Sequence, residues 1–233
     1  MKKFTFALKK IPTLVAMRTK QQVVKCCPPA FAGMTKKAAG MTIAFLAAMT
    51  LTACFGGSTS EPTRYFTLAV ENIDMPNAGE ANGRLQVRKF TIDQAYQRNN
   101  IVYRESAYDF MFYDLDLWAS RPEQMVAQVA AEYIVKSGLF ASVDTRASGK
   151  PDFELLGHID AIEEVDEGSS QYARLSLKLT LQKPDADAPL WEKRFDERQS
   201  VSSREPRLVA EAISKLLGKY MEEALGAIAS AGK

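Results

Sequence analysis

The stretch Tyr172-Ala-Arg-Leu-Ser-Leu-Lys-Leu-Thr-Leu-Gln-Lys183 alternates apolar and polar residues without a break. Ala173, Leu175, Leu177, Leu179 and Leu181 fall on one side of an extended chain; Arg174, Ser176, Lys178 and Thr180 fall on the other. A period of two marks a half-buried strand, because successive side chains leave opposite faces. The segments on either side read the same way. Residues 152–165 place Phe153, Leu155, Gly157, Ile159 and Ala161 on one face, and residues 190–201 carry Trp191 and Phe195. The linkers at 167–170 and 184–189 are short and rich in Gly, Ser, Pro and Asp. The three segments therefore predict an antiparallel meander.

Helical periodicity flanks this meander. Over 120–137, Met125, Val129 and Tyr133 line up at i, i+4, i+8, with Val126, Ala130 and Ile134 in the adjacent row. Ser120-x-x-Glu123 reads as a capping box, Pro122 suits the first turn, and Gly138 suits the position just past the end. A last helix is expected over 206–229, with Ser202-x-x-Glu205 as its start signal. Its apolar stripe is Val209, Ala212, Ile213, Leu216, Leu217, Tyr220 and Ala224. Shorter β-like runs occupy 65–70, 85–90, 100–104, 108–113 and 139–143. Residues 109–113 are apolar on both faces, as in a well-covered central strand. The order is β-β-β-β-α-β-β-β-β-α. Strands and helices segregate, so the expected class is α+β: an antiparallel or mixed sheet with two main helices packed on it.

The N-terminal quarter is of another kind. Residues 1–53 hold nine of the 30 Lys and Arg residues and no Asp or Glu. Lys36 and Lys37 precede the apolar run Met41–Ala53, which is thirteen residues long. That length fits a secretory h-region of about 7–15 residues and falls short of the ~20 of a spanning helix. The run ends in Leu51-Thr-Ala-Cys54, followed by Gly56-Gly-Ser58, and resembles a bacterial lipoprotein signal. Cleavage is expected before Cys54, whose thiol takes the diacylglyceryl group. Met34 opens a complete signal by itself, so translation is expected to start there rather than at Met1. Residues 54–63 read as a flexible lipidated tether, and 64–233 as one α+β domain.

Composition narrows the function. The 233 residues are 46% hydrophobic and 25% charged, which excludes a disordered or multi-span membrane chain. The formal charge is +2, but without the basic leader 21 basic face 28 acidic side chains, a charge of −7. Export and this acidity argue against nucleic acid as a partner. One histidine excludes sites that need two, and three cysteines exclude a disulfide scaffold. No nucleophile elbow, zinc-binding helix, phosphate loop or dinucleotide fingerprint occurs. No cofactor or metal is expected beyond the lipid on Cys54. His158, with Asp160 two residues on, reads as a surface or interface residue. The run Glu163-Glu-Val-Asp-Glu167 reads as a solvated strand end, since it lacks the ligand spacing of a calcium loop. Asp114 and Asp116 read as turn and cap residues. Tyr103, Tyr108, Phe110, Phe112, Tyr113 and Trp118 fall within sixteen residues, bracketed by Arg104 and Arg121. Such a cluster suits either sheet packing or a contact surface; on the second reading Tyr103, Arg104, Tyr113 and Trp118 are its anchors.

Several motifs in order carry a resemblance. Leu85-Gln-Val87, Ile101-Val-Tyr-Arg104, Tyr113, Trp118-Ala119, Pro122, Gly138-Leu-Phe-Ala-Ser-Val143, Phe153-Glu-Leu-Leu-Gly157, Trp191 and Phe195 resemble the ABC-type transport auxiliary lipoproteins, the PqiC/YmbA-like group, over about residues 64–229. The stretch Thr91-Ile-Asp-Gln-Ala-Tyr96 departs from the group by having no proline. The resemblance implies a non-catalytic lipoprotein that accompanies an ABC permease, its ATPase and an MCE-domain protein in moving lipids between membranes. It would sit on the periplasmic face of the outer membrane, because Phe55 rather than Asp follows Cys54. A homo-oligomer is compatible with such a role. An outer-membrane or lipopolysaccharide assembly lipoprotein is the alternative, and a periplasmic enzyme the third.

Overall fold

The computed structural model describes residues 61–72, 83–146 and 149–231. Two units divide the chain, Met1–Thr59 and Ser60–Lys233, and every described residue belongs to the second. The leader, the Met34 start and Cys54 lie outside the described residues, as does most of the 54–63 tether.

The expected meander forms the larger part of a nine-stranded mixed sheet. β7 (Phe153–Glu167), β8 (Ser170–Gln182) and β9 (Trp191–Val201) are paired antiparallel along nearly their whole length. Gly168, with φ of 69°, supplies the left-handed turn of the tight β7–β8 hairpin. The other edge of β7 meets three short strands in succession, all parallel to it. β2 (Arg84–Val87) pairs with its start, β3 (Thr91–Ile92) with its middle and β4 (Asn100–Arg104) with its end. β5 (Met111–Trp118) then pairs antiparallel with β4, and β1 (Arg64–Phe66) parallel with β5. β6 (Ser142–Asp144) closes the other end against β2.

Two helices, α1 (Pro122–Ser137) and α2 (Pro206–Ala231), pack on one face of this sheet and on each other. The leucine row of β8, Leu175 to Leu181, is fully buried against them, as is the apolar stripe read for each helix. Phe195 stacks on Tyr220 with ring centroids 4.6 Å apart. After β1 the chain crosses the helices and is tied to both. Ala69 N donates to Ser214 Oγ on α2 (3.1 Å), and Glu71 N to Tyr133 Oη on α1 (2.7 Å). Phe90 reaches this layer only because residue 157 is glycine. A Cβ there would stand 2.4 Å from the Phe90 ring.

Several local expectations are corrected. The residue before α1 is Arg121, and no side chain caps that terminus, so Ser120 is not a cap; Pro122 and Gly138 (φ 65°) stand where expected. The strand placed at 108–113 runs instead from 111 to 118. Asp114 and Asp116 are thus strand residues, and Asp116 is buried beneath Arg64, whose Nε and Nη2 donate to its two oxygens (2.6 and 3.0 Å). β5 is not central: among the described residues only β1 lies outside it. β3 and a turn of 3-10 helix, Gln94–Tyr96, occupy the proline-free departure; Asp93 Oδ1 caps the turn by accepting from Ala95 N (3.0 Å). The fifth correction governs the site. β7 carries a bulge between Ile159 and Ala161. An extra residue reverses the inward–outward phase of everything after it. Ala161 therefore lies opposite Ser176 on the open face, and Ile162 opposite Leu175 on the helix face.

Candidate functional site

Beyond the bulge, the acidic run enters the protein instead of leaving it. Glu163, Glu164 and Asp166 are each under 5% exposed, and only Glu167 is solvated. The expectation of a solvated strand end fails because the bulge turns Glu164 and Asp166 toward the helix layer, while the 3-10 turn and the β4–β5 loop cover Glu163 on the open face.

Both faces of this strand end are polar and paired. On the open face, Tyr96 Oη donates to Glu163 Oε2 (2.5 Å), Arg174 Nη1 donates to Oε1 (3.0 Å), and Arg104 Nη1 stands 3.8 Å from Oε2. Arg174 also forks onto Asp196, through Nε (2.9 Å) and Nη2 (2.8 Å). That bidentate bond raises the arginine above its ordinary range and holds the Asp196 carboxyl below its own. Burial, then the bond to Glu163, pushes the Tyr96 hydroxyl well up. On the helix face, Tyr113 Oη donates to Glu164 Oε2 (2.8 Å) and Arg204 is ion-paired to Asp166. Burial raises Glu164; the Tyr113 bond and nearby Arg204 act the other way. Burying a carboxylate costs several kcal/mol unless it is paired, and these partners supply the pairing.

The sequence-read residues Tyr103, Arg104 and Tyr113 meet here. The rings of Tyr103 and Tyr113 lie 4.9 Å apart, and Tyr103 stands beside Glu164 in register. Arg104 braces the following loop by donating to the carbonyls of Ala107 (2.7 Å) and Asp109 (3.2 Å). Ser106 Oγ donates to Asp109 Oδ2 (2.6 Å) within the same loop. The loop so stiffened presents Tyr108, 97% exposed, at its tip. Phe112, 43% exposed, lies under the Arg98 guanidinium at 4.7 Å. Trp118 is different: it is 1% exposed, belongs to the core, and offers no surface. A cleft of about 380 Å³ runs between this loop and the β7–β8 hairpin, lined by Arg104, Glu105, Asp166, Glu167, Arg174 and Arg198.

His158 lies farther along the open face. Its Nδ1 is 2.7 Å from Thr91 Oγ1, and its Nε2 is 3.8 Å from Asp160. Hydroxyl, imidazole and carboxylate stand in the order of a nucleophilic triad. The carboxylate, however, is beyond hydrogen-bond distance and is held by Arg194 (3.3 Å) and Ser176 (3.4 Å). Among the described residues, no group of three or more His, Cys, Asp or Glu side chains converges to hold a metal, and no helix is long and apolar enough to cross a membrane. Sequence reading missed Tyr96, Arg174 and Arg204. Arg174 reaches the acidic run by the β7–β8 pairing, Tyr96 from the 3-10 turn between β3 and β4, and Arg204 from the loop after β9.

No curated protein matches the chain. The solved structures that share its fold include two of low sequence identity. Protein XCC0632 of Xanthomonas campestris is 19% identical with a TM-score of 0.64, over 72% of this chain and 96% of that one. An uncharacterised protein is 16% identical with a TM-score of 0.55, over 73% and 98%. The family model described as "ABC-type transport auxiliary lipoprotein component" matches residues 66–224. That range runs from the end of β1 into α2 and takes in strands β2 to β9, the braced loop and the buried acidic end. The chain belongs to the ABC-type transport auxiliary lipoprotein family.

Proposed function

We propose that this lipoprotein is a non-catalytic subunit of a transport system built from an ABC permease, its ATPase and an MCE-domain protein, which moves lipids between the inner and outer membranes. The family match over 66–224 carries the reading. The lipidation motif ending at Cys54 supplies the anchor, and Phe55 after it favours the outer membrane, with the domain in the periplasm. The strand-end site suits binding. Its charges are bonded to one another, which fixes shape and orientation, and its aromatic tip stands clear of them. Tyr103, Arg104 and Tyr113 act in this reading as the rigid base that presents Tyr108 and Phe112 to the partner, since aromatic side chains on a fixed support make strong anchors.

Mild cross-linking of the tagged, Cys54-anchored protein in membranes tests this. Capture of an MCE-domain protein is expected, reduced about tenfold by Tyr108→Ala, as for an anchor residue. Capture of a β-barrel assembly protein instead, or undiminished capture by the variant, would count against the partner or the surface respectively.

A further inference from the structure

β9 is an edge strand eleven residues long, and among the described residues only β8 pairs with it. Which of its backbone groups face outward is set by a side chain. Tyr220 Oη donates to Leu175 O (2.8 Å) and accepts from Glu197 N (2.9 Å), and Leu175 and Glu197 are register partners. One hydroxyl bridges both groups only if the Leu175 carbonyl and the Glu197 amide point at each other. Odd-numbered residues of β9 thus turn their N–H and C=O toward β8. Glu192, Arg194, Asp196, Arg198 and Ser200 turn theirs out, as an open ladder.

Charged residues on an edge usually guard against pairing. Here their order does more. An antiparallel partner must match outward residues with outward residues, so two copies of β9 can meet only in registers two residues apart. Centred on Arg194, that residue faces itself and Glu192 faces Asp196. Centred on Asp196, that residue faces itself and Arg194 faces Arg198. Centred on Phe195, Arg194 faces Asp196, Lys193 faces Glu197 and Glu192 faces Arg198. Every charged pair is then of opposite sign, and symmetry repeats each pair twice. All six of these residues stand on the surface, with side chains between 39% and 60% exposed.

We propose that β9 is the interface between two copies of this chain, paired antiparallel about a two-fold axis at Phe195. The sheet runs on through the axis, and the α2 helices of both copies lie on the same face of it. The interface is isologous, so it closes on itself and does not propagate into a fibre.

The test uses the full lipidated chain in detergent. Lys193 and Glu197 of opposite copies form non-hydrogen-bonded pairs, with Cβ atoms about 4.5–5.5 Å apart, near enough for a disulfide. On oxidation, K193C/E197C should run as a covalent dimer on a non-reducing gel. Neither single variant nor the unsubstituted chain should do so, and the unsubstituted chain should sediment as a dimer. A monomer in both measurements overturns the proposal. So does a covalent dimer from Asp196→Cys alone, which would require the register centred on that residue.

Discussion

The two halves of β7 obey opposite rules on one strand. Before the bulge, Leu155 and Ile159 turn apolar side chains to the helices, and His158 faces solvent. After it, the helix face receives Ile162 but then Glu164 and Asp166, and even the open-face Glu163 is buried. The first half is held by exclusion of water from carbon. The second is held by pairing of groups that would each be unstable there alone. One inserted residue separates the two regimes, so the bulge decides where β7 buries charge.

The difference predicts unequal responses to substitution. Leu177→Ala, opposite Ile159 and fully buried, should cost ~2–5 kcal/mol in urea unfolding, the usual range for a leucine cavity. At the polar end, Tyr113→Phe removes no volume but leaves Glu164 without its donor, and ~1–3 kcal/mol should be lost. A Tyr113→Phe variant as stable as the parent would show that water reaches Glu164 and that the end is not dry.

The smallest and most discriminating effect is in pH. Glu164 is raised by burial, so the folded state holds its proton more tightly than the unfolded chain does. Its charge lowers stability as pH rises above the ordinary 4.5 through its folded value. Asp196 is depressed, chiefly by its bond to Arg174. Its contribution is present above the ordinary 3.8 and is lost as pH falls through its folded value. Glu164→Gln should therefore gain on the parent between pH 4 and pH 7. Asp196→Asn should cost ~0.2–1 kcal/mol at pH 7, as a partly exposed pair does, and nothing at the acid end. Urea midpoints at several pH values check both signs, and parallel profiles for the two variants would erase the distinction between the sites.

Legibility in the sequence followed the same boundary. The alternation from Tyr172 to Lys183 and the helical rows at Met125 and Val209 were sufficient for the meander, both helices and most of the core. Each of those patterns is local and reports directly on burial. The acidic run was misread because its burial depends on a bulge at Asp160 that leaves no mark in composition. It depends too on Tyr96, Arg174 and Arg204, which lie 67, 11 and 38 positions away in the chain from the carboxylates they meet. Asp116 was misread for a similar reason: its partner Arg64 lies 52 positions away. Tyr103, Arg104 and Tyr113 were legible as a group, since a dense aromatic segment next to arginine is visible in one window. Trp118 shared that window, but packing sent it inward.

The Tyr220 hydroxyl between β8 and β9 has a kinetic consequence. At that rung a helix side chain bonds to both the outermost strand and its neighbour. Hydrogen exchange at the Glu197 amide should then report on the docking of α2 as well as on the β-ladder. The last strand and the last helix would open to solvent together, as one cooperative unit at the C-terminal end of the fold.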